Sequence, residues 1–139
     1  MPEASKKLND NGRINVVVID DNLRSRYIIK ETLKTEEDIH ICDEAETLEQ
    51  AKNILARWRP DIAILDLSLD ENEGGLKLLQ EISQLHLPTN FIVLSAHAEA
   101  SYSQKSLQAG AKGYICKDKT VRCLGPAIHS VHSGKEFVS

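Results

Sequence analysis

No stretch of this 139-residue chain approaches eighteen uninterrupted apolar residues, so a membrane-spanning helix is excluded by length. The opening residues, Met1 to Gly12, are polar and lack the apolar core a secretory signal needs, and a cytoplasmic location is expected. Cysteine is sparse and odd in number. Cys42, Cys116 and Cys123 follow neither a CxxC nor a Cys/His metal spacing, and each lies in an apolar run, which predicts buried free thiols. A basic stripe is also missing. The 17 Lys and Arg are scattered among 21 Asp and Glu, for a formal net charge of -4, so this segment by itself is not expected to grip a nucleic-acid backbone.

What is present, 41% hydrophobic and 27% charged residues, is ordinary globular composition, and the length suits one domain with one core. That domain is placed at residues 13–139, with 1–12 as a flexible tail. Five short apolar runs alternate with segments of helical periodicity. The runs are Ile14–Ile19, Ile39–Cys42, Ile62–Leu65, Phe91–Leu94 and Gly113–Cys116. Several are continuously apolar and β-branched, the look of strands covered on both faces. The first helix is expected from Asn22 to about Thr35. A second, Thr47 to Trp58, sets Leu48, Ala51, Leu55 and Trp58 on one stripe and is stopped by Pro60. Leu76, Leu79 and Ile82 stripe the third, with Leu85 or His86 continuing it. The fourth runs around Ala98 to Gln108 with Gly110 as its C-cap, and the last carries Val121, Leu124, Ile128 and Val131 behind Thr120 as N-cap. Strand–helix alternation of these lengths predicts an α/β fold: a doubly wound, five-stranded parallel sheet in a (βα)5, flavodoxin-like three-layer sandwich. Ligands of such folds sit beyond the carboxyl ends of the strands. No Gly-rich phosphate loop follows the first run, which argues against nucleotide binding.

The residues at those strand ends are chemically related. Asp20-Asp21 closes the first run, Asp66 the third, Ser95 the fourth and Lys117 the fifth. Taken singly, each has a plainer reading. An acidic pair before a helix can be a cap with a favourable dipole interaction, contributing about 0.3 to 2 kcal/mol. Ser95 could be a strand-end hydroxyl and Tyr114 a half-buried aromatic. Together they ask for more. Three carboxylates converging on one sheet edge repel, and Lys117 with a hard divalent cation would balance them. A site so balanced suits phosphoryl transfer, with Asp66 as nucleophile, the metal and Lys117 stabilising phosphoryl oxygens, and Ser95 donating to another.

On these residues the chain resembles the receiver domain of two-component response regulators from about Arg13 to Ser139. The resemblance implies that Asp66 is the phosphoacceptor, that Tyr114 is an aromatic switch and that the cofactor is Mg²⁺, with Mn²⁺ as substitute. It also implies that Asp21, Asp66 and the backbone carbonyl of Ser68 ligate the metal directly, and that Asp20 acts through water or as a weaker ligand. Phosphorylation would draw Ser95 inward, rotate Tyr114 and alter the face of the fourth helix, fifth strand and fifth helix. The run Ala109-Gly110-Ala111-Lys112-Gly113-Tyr114-Ile115-Cys116-Lys117-Asp118 is similar to receivers with a LuxR-type helix-turn-helix output domain. Two departures stand out: Asp70, within an acidic stretch, replaces a frequent proline, and Asp118 replaces another, as in that subset.

The expected function is thus a switch phosphorylated by a sensor histidine kinase or phosphotransfer protein, forming homodimers and reaching DNA only through an output domain. Two other classes stay in view. An aspartyl-intermediate phosphatase would need a second carboxylate where Ser68 stands, so a turnover enzyme is not expected. A stand-alone or phosphate-independent interaction module is the other. His97 has two readings, tuning of the dephosphorylation rate or simple surface placement.

Overall fold

The computed structural model describes residues 12–66, 74–96 and 100–139. Six strands and five helices alternate: β1 (Ile14–Ile19), α1 (Leu23–Leu33), β2 (Ile39–Ala45), α2 (Leu48–Trp58), β3 (Ile62–Asp66), α3 (Gly74–Ser83), β4 (Asn90–Ser95), α4 (Ala100–Gln108), β5 (Gly113–Cys116), α5 (Thr120–His132) and β6 (Phe137–Val138). All pairings are parallel, in the order β2-β1-β3-β4-β5-β6. The sheet therefore has one strand more than the five expected. Phe137 and Val138 pair with Gly113 and Tyr114, and the Ser139 N–H donates to the Tyr114 carbonyl at 3.0 Å, so this short strand covers the β5 edge.

Strand pleating sorts the apolar side chains into two cores. Val17, Ile19, Ala63, Leu65, Phe91, Val93 and Tyr114 pack under α2 and α3. Val16, Val18, Ile62, Ile64, Ile92, Leu94 and Ile115 pack under α1 and α5, where Ile29, Leu33, Leu124 and Ile128 complete the layer. Both faces of β1, β3 and β4 are covered, which is why those strands read as unbroken apolar runs. β2 is an edge strand with a mostly half-buried pattern, and it runs on to Ala45 through the polar Asp43-Glu44.

Local chemistry sets the helix ends. The Asn22 side chain accepts from the Ser25 N–H at the start of α1, and Thr47 accepts from Gln50 N–H at the start of α2. Helix α2 ends with Arg59 in the left-handed region at φ 45, just before Pro60. Gly110, at φ 118, terminates α4 as expected: its N–H reaches Leu107 O and that of Ala111 reaches Ser106 O. Thr120 is not the N-cap of α5. It is the first helical residue, and its hydroxyl donates to the Lys117 carbonyl at 2.9 Å, tying the helix to the 3-10 turn Lys117–Lys119. Leu85 does not continue the α3 stripe; it lies past the helix end and is exposed, and His86 turns the chain at φ 54. Cys116 is buried and forms no disulfide, whereas Cys42 and Cys123 are half-buried. Among the described residues, no helix is long and apolar enough to cross a membrane.

Candidate functional site

Strand order reverses between β1 and β3: the chain leaves β1 for β2 on one side and returns to β3 on the other. The crevice beyond the carboxyl ends of β1 and β3 is thus the place where this fold can receive a ligand. Register fills it. Ile19 pairs with Leu65, so Asp20 and Asp66 follow side by side. Asp66 pairs with Leu94 and Ser95 with Cys116, which brings Ser95 and Lys117 along the same edge.

Three carboxylates meet there. Ligand-capable oxygens of Asp20, Asp21 and Asp66 lie within 4.8 Å of one another. Asp66 is 1% exposed and its Oδ2 accepts from Lys117 Nζ at 2.8 Å. Asp21 is exposed at the mouth. Asp20 is wholly buried and held through both its backbone and its side chain. Its N–H donates to the Ala45 carbonyl at 2.9 Å, its own carbonyl accepts from Arg26 Nη1 at 2.7 Å, and its Oδ1 accepts from the Asn22 N–H at 2.9 Å. That leaves Oδ2, which is buried and has no hydrogen-bond partner among the described residues. Burial pushes the Asp20 carboxyl above the ordinary range, and the Asp66 charge adds to this, against hydrogen bonds from Ser25 and the Asn22 N–H that pull it down.

An orphaned carboxylate oxygen beside two more carboxylates fits a hard divalent cation bound through oxygen, Mg²⁺ or Mn²⁺. The donor set is all oxygen, and one member, Asp21, remains open to solvent so that an ion can enter. The expected backbone ligand Ser68 and the acidic stretch at Asp70 lie outside the described residues, as does His97.

Ser95 and Tyr114 occupy the other side of the same edge. Tyr114 is 1% exposed and packs in the core under α2 and α3, and Ser95, two residues beyond Val93, points by alternation to that side. Alternation puts Asp66, two residues past Ile64, on the α1/α5 side. Asp66 and the Ser95 hydroxyl therefore approach the edge from opposite faces.

Sequence reasoning missed Arg26. It sits on the buried stripe of α1 with Ile29 and Leu33, and an arginine at a core position of a helix is the signal that could have revealed it. Its Nε donates to Glu44 Oε1 and its Nη2 to Glu46 Oε1, each at 3.0 Å, besides the bond to the Asp20 carbonyl. A second cluster, Glu36, Asp38 and His129, also brings ligand-capable atoms within 4.8 Å of one another, at the amino end of the sheet.

A profile of the family described as "Response regulator receiver domain" matches residues 16–129. The transcriptional regulatory protein DegU of Brevibacillus brevis is 26% identical over 134 residues, which cover 96% of this chain and 56% of that protein. The response regulator UvrY of Escherichia coli K12 is 30% identical over 126 residues, 91% of this chain and 57% of that one. The chain thus spans a little over half the length of these curated relatives. The signal receiver domain of the putative response regulator NarL from Mycobacterium tuberculosis superposes with a TM-score of 0.81 at 27% identity, over 88% of this chain and 98% of that one.

Proposed function

The chain belongs to the response regulator receiver domain family, and from that membership we propose that it is a phosphorylation switch in which Asp66 accepts a phosphoryl group from a phosphohistidine donor. The observation that carries this reading is the buried Asp66 carboxylate bonded to Lys117 Nζ at 2.8 Å, beside the unpartnered Oδ2 of Asp20. Asp20, Asp21 and Asp66 would hold Mg²⁺, with the Ser68 carbonyl as a further ligand. When bound, the ion supplies positive charge to the phosphoryl oxygens.

The rest falls to the side chains. An oxygen of Asp66 forms a bond to phosphorus as the phosphorus–nitrogen bond of the donor breaks, and the bonding pair leaves with the imidazole. Lys117 turns from Asp66 toward a phosphoryl oxygen and offsets its charge. Ser95, at the end of β4, donates to another phosphoryl oxygen, and that contact exists only after transfer. Tyr114 follows Ser95 on the same side of the sheet, and the face of α4, β5 and α5 changes with it. The donor would approach over the groove lined by Asn22, Arg24, Ile28, Lys117 and Val121. Leu23, Tyr27 and Val121 stand exposed on α1 and the start of α5.

The downstream reading follows the relatives, a transcriptional regulatory protein and a response regulator. The changed face would control homodimerisation and a LuxR-type DNA-binding output domain, in the cytoplasm and without enzymatic turnover.

Incubation with MgCl2 and acetyl phosphate, followed by intact mass measurement, tests the reading, with Asp66→Asn as control. One phosphoryl addition, absent from the variant, is expected. No addition from any small donor, together with no structural response to beryllium fluoride, would leave a phosphate-independent module instead. Continuous release of inorganic phosphate at enzymatic rates would indicate a hydrolase.

A further inference from the structure

We propose that Arg26 is a positioning residue for the cation site: its guanidinium bond to the Asp20 backbone carbonyl aims the Asp20 carboxylate at Asp66 and so sets the affinity for the divalent ion. The inference rests on the reading of the acidic cluster as a cation site and adds a residue that touches neither ion nor phosphoryl group.

The geometry supports a role beyond packing. Arg26 is 6% exposed, and all three of its guanidinium nitrogens are engaged within 3.0 Å: Nη1 with the Asp20 carbonyl, Nε with Glu44 at the end of β2 and Nη2 with Glu46 in the turn beyond. Lys30 Nζ lies 2.9 Å from the second oxygen of Glu44 and completes the network. One rigid planar fork therefore ties α1, the end of β1 and the end of β2 together. The carbonyl bond, 2.7 Å long, is the shortest of its three contacts.

Asp20 follows the last residue of β1, where ladder pairing ends and only specific contacts fix the peptide planes. The bond from Arg26 fixes the plane after Asp20, and the Asp20 N–H to Ala45 fixes the one before it. With Oδ1 taken by the Asn22 N–H, Oδ2 is left without a partner among the described residues, on a carboxylate that clusters with those of Asp21 and Asp66. Without Arg26, a buried carbonyl loses its donor and the turn relaxes to find another, carrying the carboxylate with it. Groups that orient metal ligands in this indirect way typically contribute 10- to 100-fold, on the order of one to two decades, in metal affinity.

The test compares Arg26→Lys with Lys30→Gln. Lysine keeps the charge but offers one point donor in place of the fork, so it cannot serve the carbonyl and both glutamates together. Lys30→Gln removes an ion pair from the same network and leaves Arg26 and Asp20 untouched. Titration calorimetry with MgCl2, checked with Mn²⁺ as a paramagnetic probe, should show affinity weakened about tenfold or more in Arg26→Lys and unchanged in Lys30→Gln. A folded Arg26→Lys with wild-type affinity overturns the proposal, and so does an equal loss in Lys30→Gln, which would mean a generally loosened network. If Arg26→Lys does not fold, the wild type decides: on MgCl2 titration the Arg26 Nε–H resonance should shift with the same midpoint as the Asn22 amide, and a resonance that does not respond overturns the proposal. A wild type that binds no MgCl2 would remove the cation-site reading itself, a different result from the loss of Arg26 alone.

Discussion

Two acidic clusters lie at opposite ends of one sheet, each with its ligand-capable atoms within 4.8 Å of one another, and only one has the character of a site. At the amino end, Asp38 precedes β2 and its Oδ2 lies 2.8 Å from His129 Nε2 on α5, with Glu36 Oε1 3.9 Å from the same nitrogen. These residues are half-buried or exposed, so water solvates what the imidazole leaves. At the carboxyl end, Asp20 is completely buried and keeps an oxygen without a partner among the described residues. The first cluster is open to water and has an imidazole hydrogen-bonded to Asp38; the second carries an electrostatic cost that an ion would relieve. Closeness of ligands is common, and an uncompensated buried oxygen at the strand-order switch is not.

This contrast can be broken most forcefully at Asp20. Asp20→Asn keeps the shape but removes a charged ligand, and should lower MgCl2 affinity about 10- to 100-fold in calorimetry. In metal-free protein the same substitution should raise Tm, because it removes a carboxylate whose charged form the fold disfavours. The pH dependence follows from the sign of the shift. Folding raises the Asp20 pKa above 3.8, so its ionisation opposes folding in full above the raised value, and that opposition shrinks as pH falls below it and is gone below 3.8. The Tm gap between Asp20→Asn and wild type should therefore be widest above the raised value and close on acidification. A variant less stable than wild type at neutral pH would mean that Asp20 is structural, like the amino-end acids.

Lys117 gives the next effect. Lys117→Met leaves the buried Asp66 carboxylate without its ammonium, at a cost of about 1 to 2 kcal/mol in the metal-free protein, moderated because the lysine side chain is one-third exposed. MgCl2 should recover much of that loss, since an ion held by the same carboxylates supplies the missing charge. Thermal melts with and without MgCl2 measure both. No recovery would separate Asp66 from the cation site.

How far the sequence foretold this contrast depends on what holds each part. Strands β1, β3 and β4 are covered on both faces, so unbroken β-branched runs announced them, and Asp20, Asp21, Asp66 and Ser95 marked their ends, with Lys117 following β5. The meeting of the carboxylates then followed from topology. β6 escaped because two residues cannot show a period and its bonds run from backbone to backbone. Thr120 was misplaced because its hydroxyl serves the preceding 3-10 turn instead of a helix N–H, a choice that only the path of Lys117–Lys119 reveals. Arg26 was passed over because periodicity reading treats arginine as surface, although at its position each of the three guanidinium nitrogens donates a hydrogen bond. The amino-end cluster was invisible for another reason: Asp38 and His129 are 91 residues apart and share no motif spacing.

That cluster supplies the smallest effect and the sharpest control. The hydrogen bond to Asp38 holds the His129 imidazole above its ordinary value of 6.5, aided by the Asp38 charge and the Gly125 backbone and opposed by partial burial. With the folded value raised, the imidazolium contributes stability that is fully present below the unfolded pKa and is lost as pH rises through the folded one. The side chain is 42% exposed, so solvent screening limits the contribution to about 0.2 to 1 kcal/mol. Urea unfolding of His129→Gln and wild type should differ by that amount in mildly acidic buffer and converge in alkaline buffer, while MgCl2 affinity stays the same in both. If His129→Gln weakened MgCl2 binding, the amino-end cluster would be binding the ion too, and satisfaction by a neighbouring imidazole would no longer separate a surface pairing from a cation site.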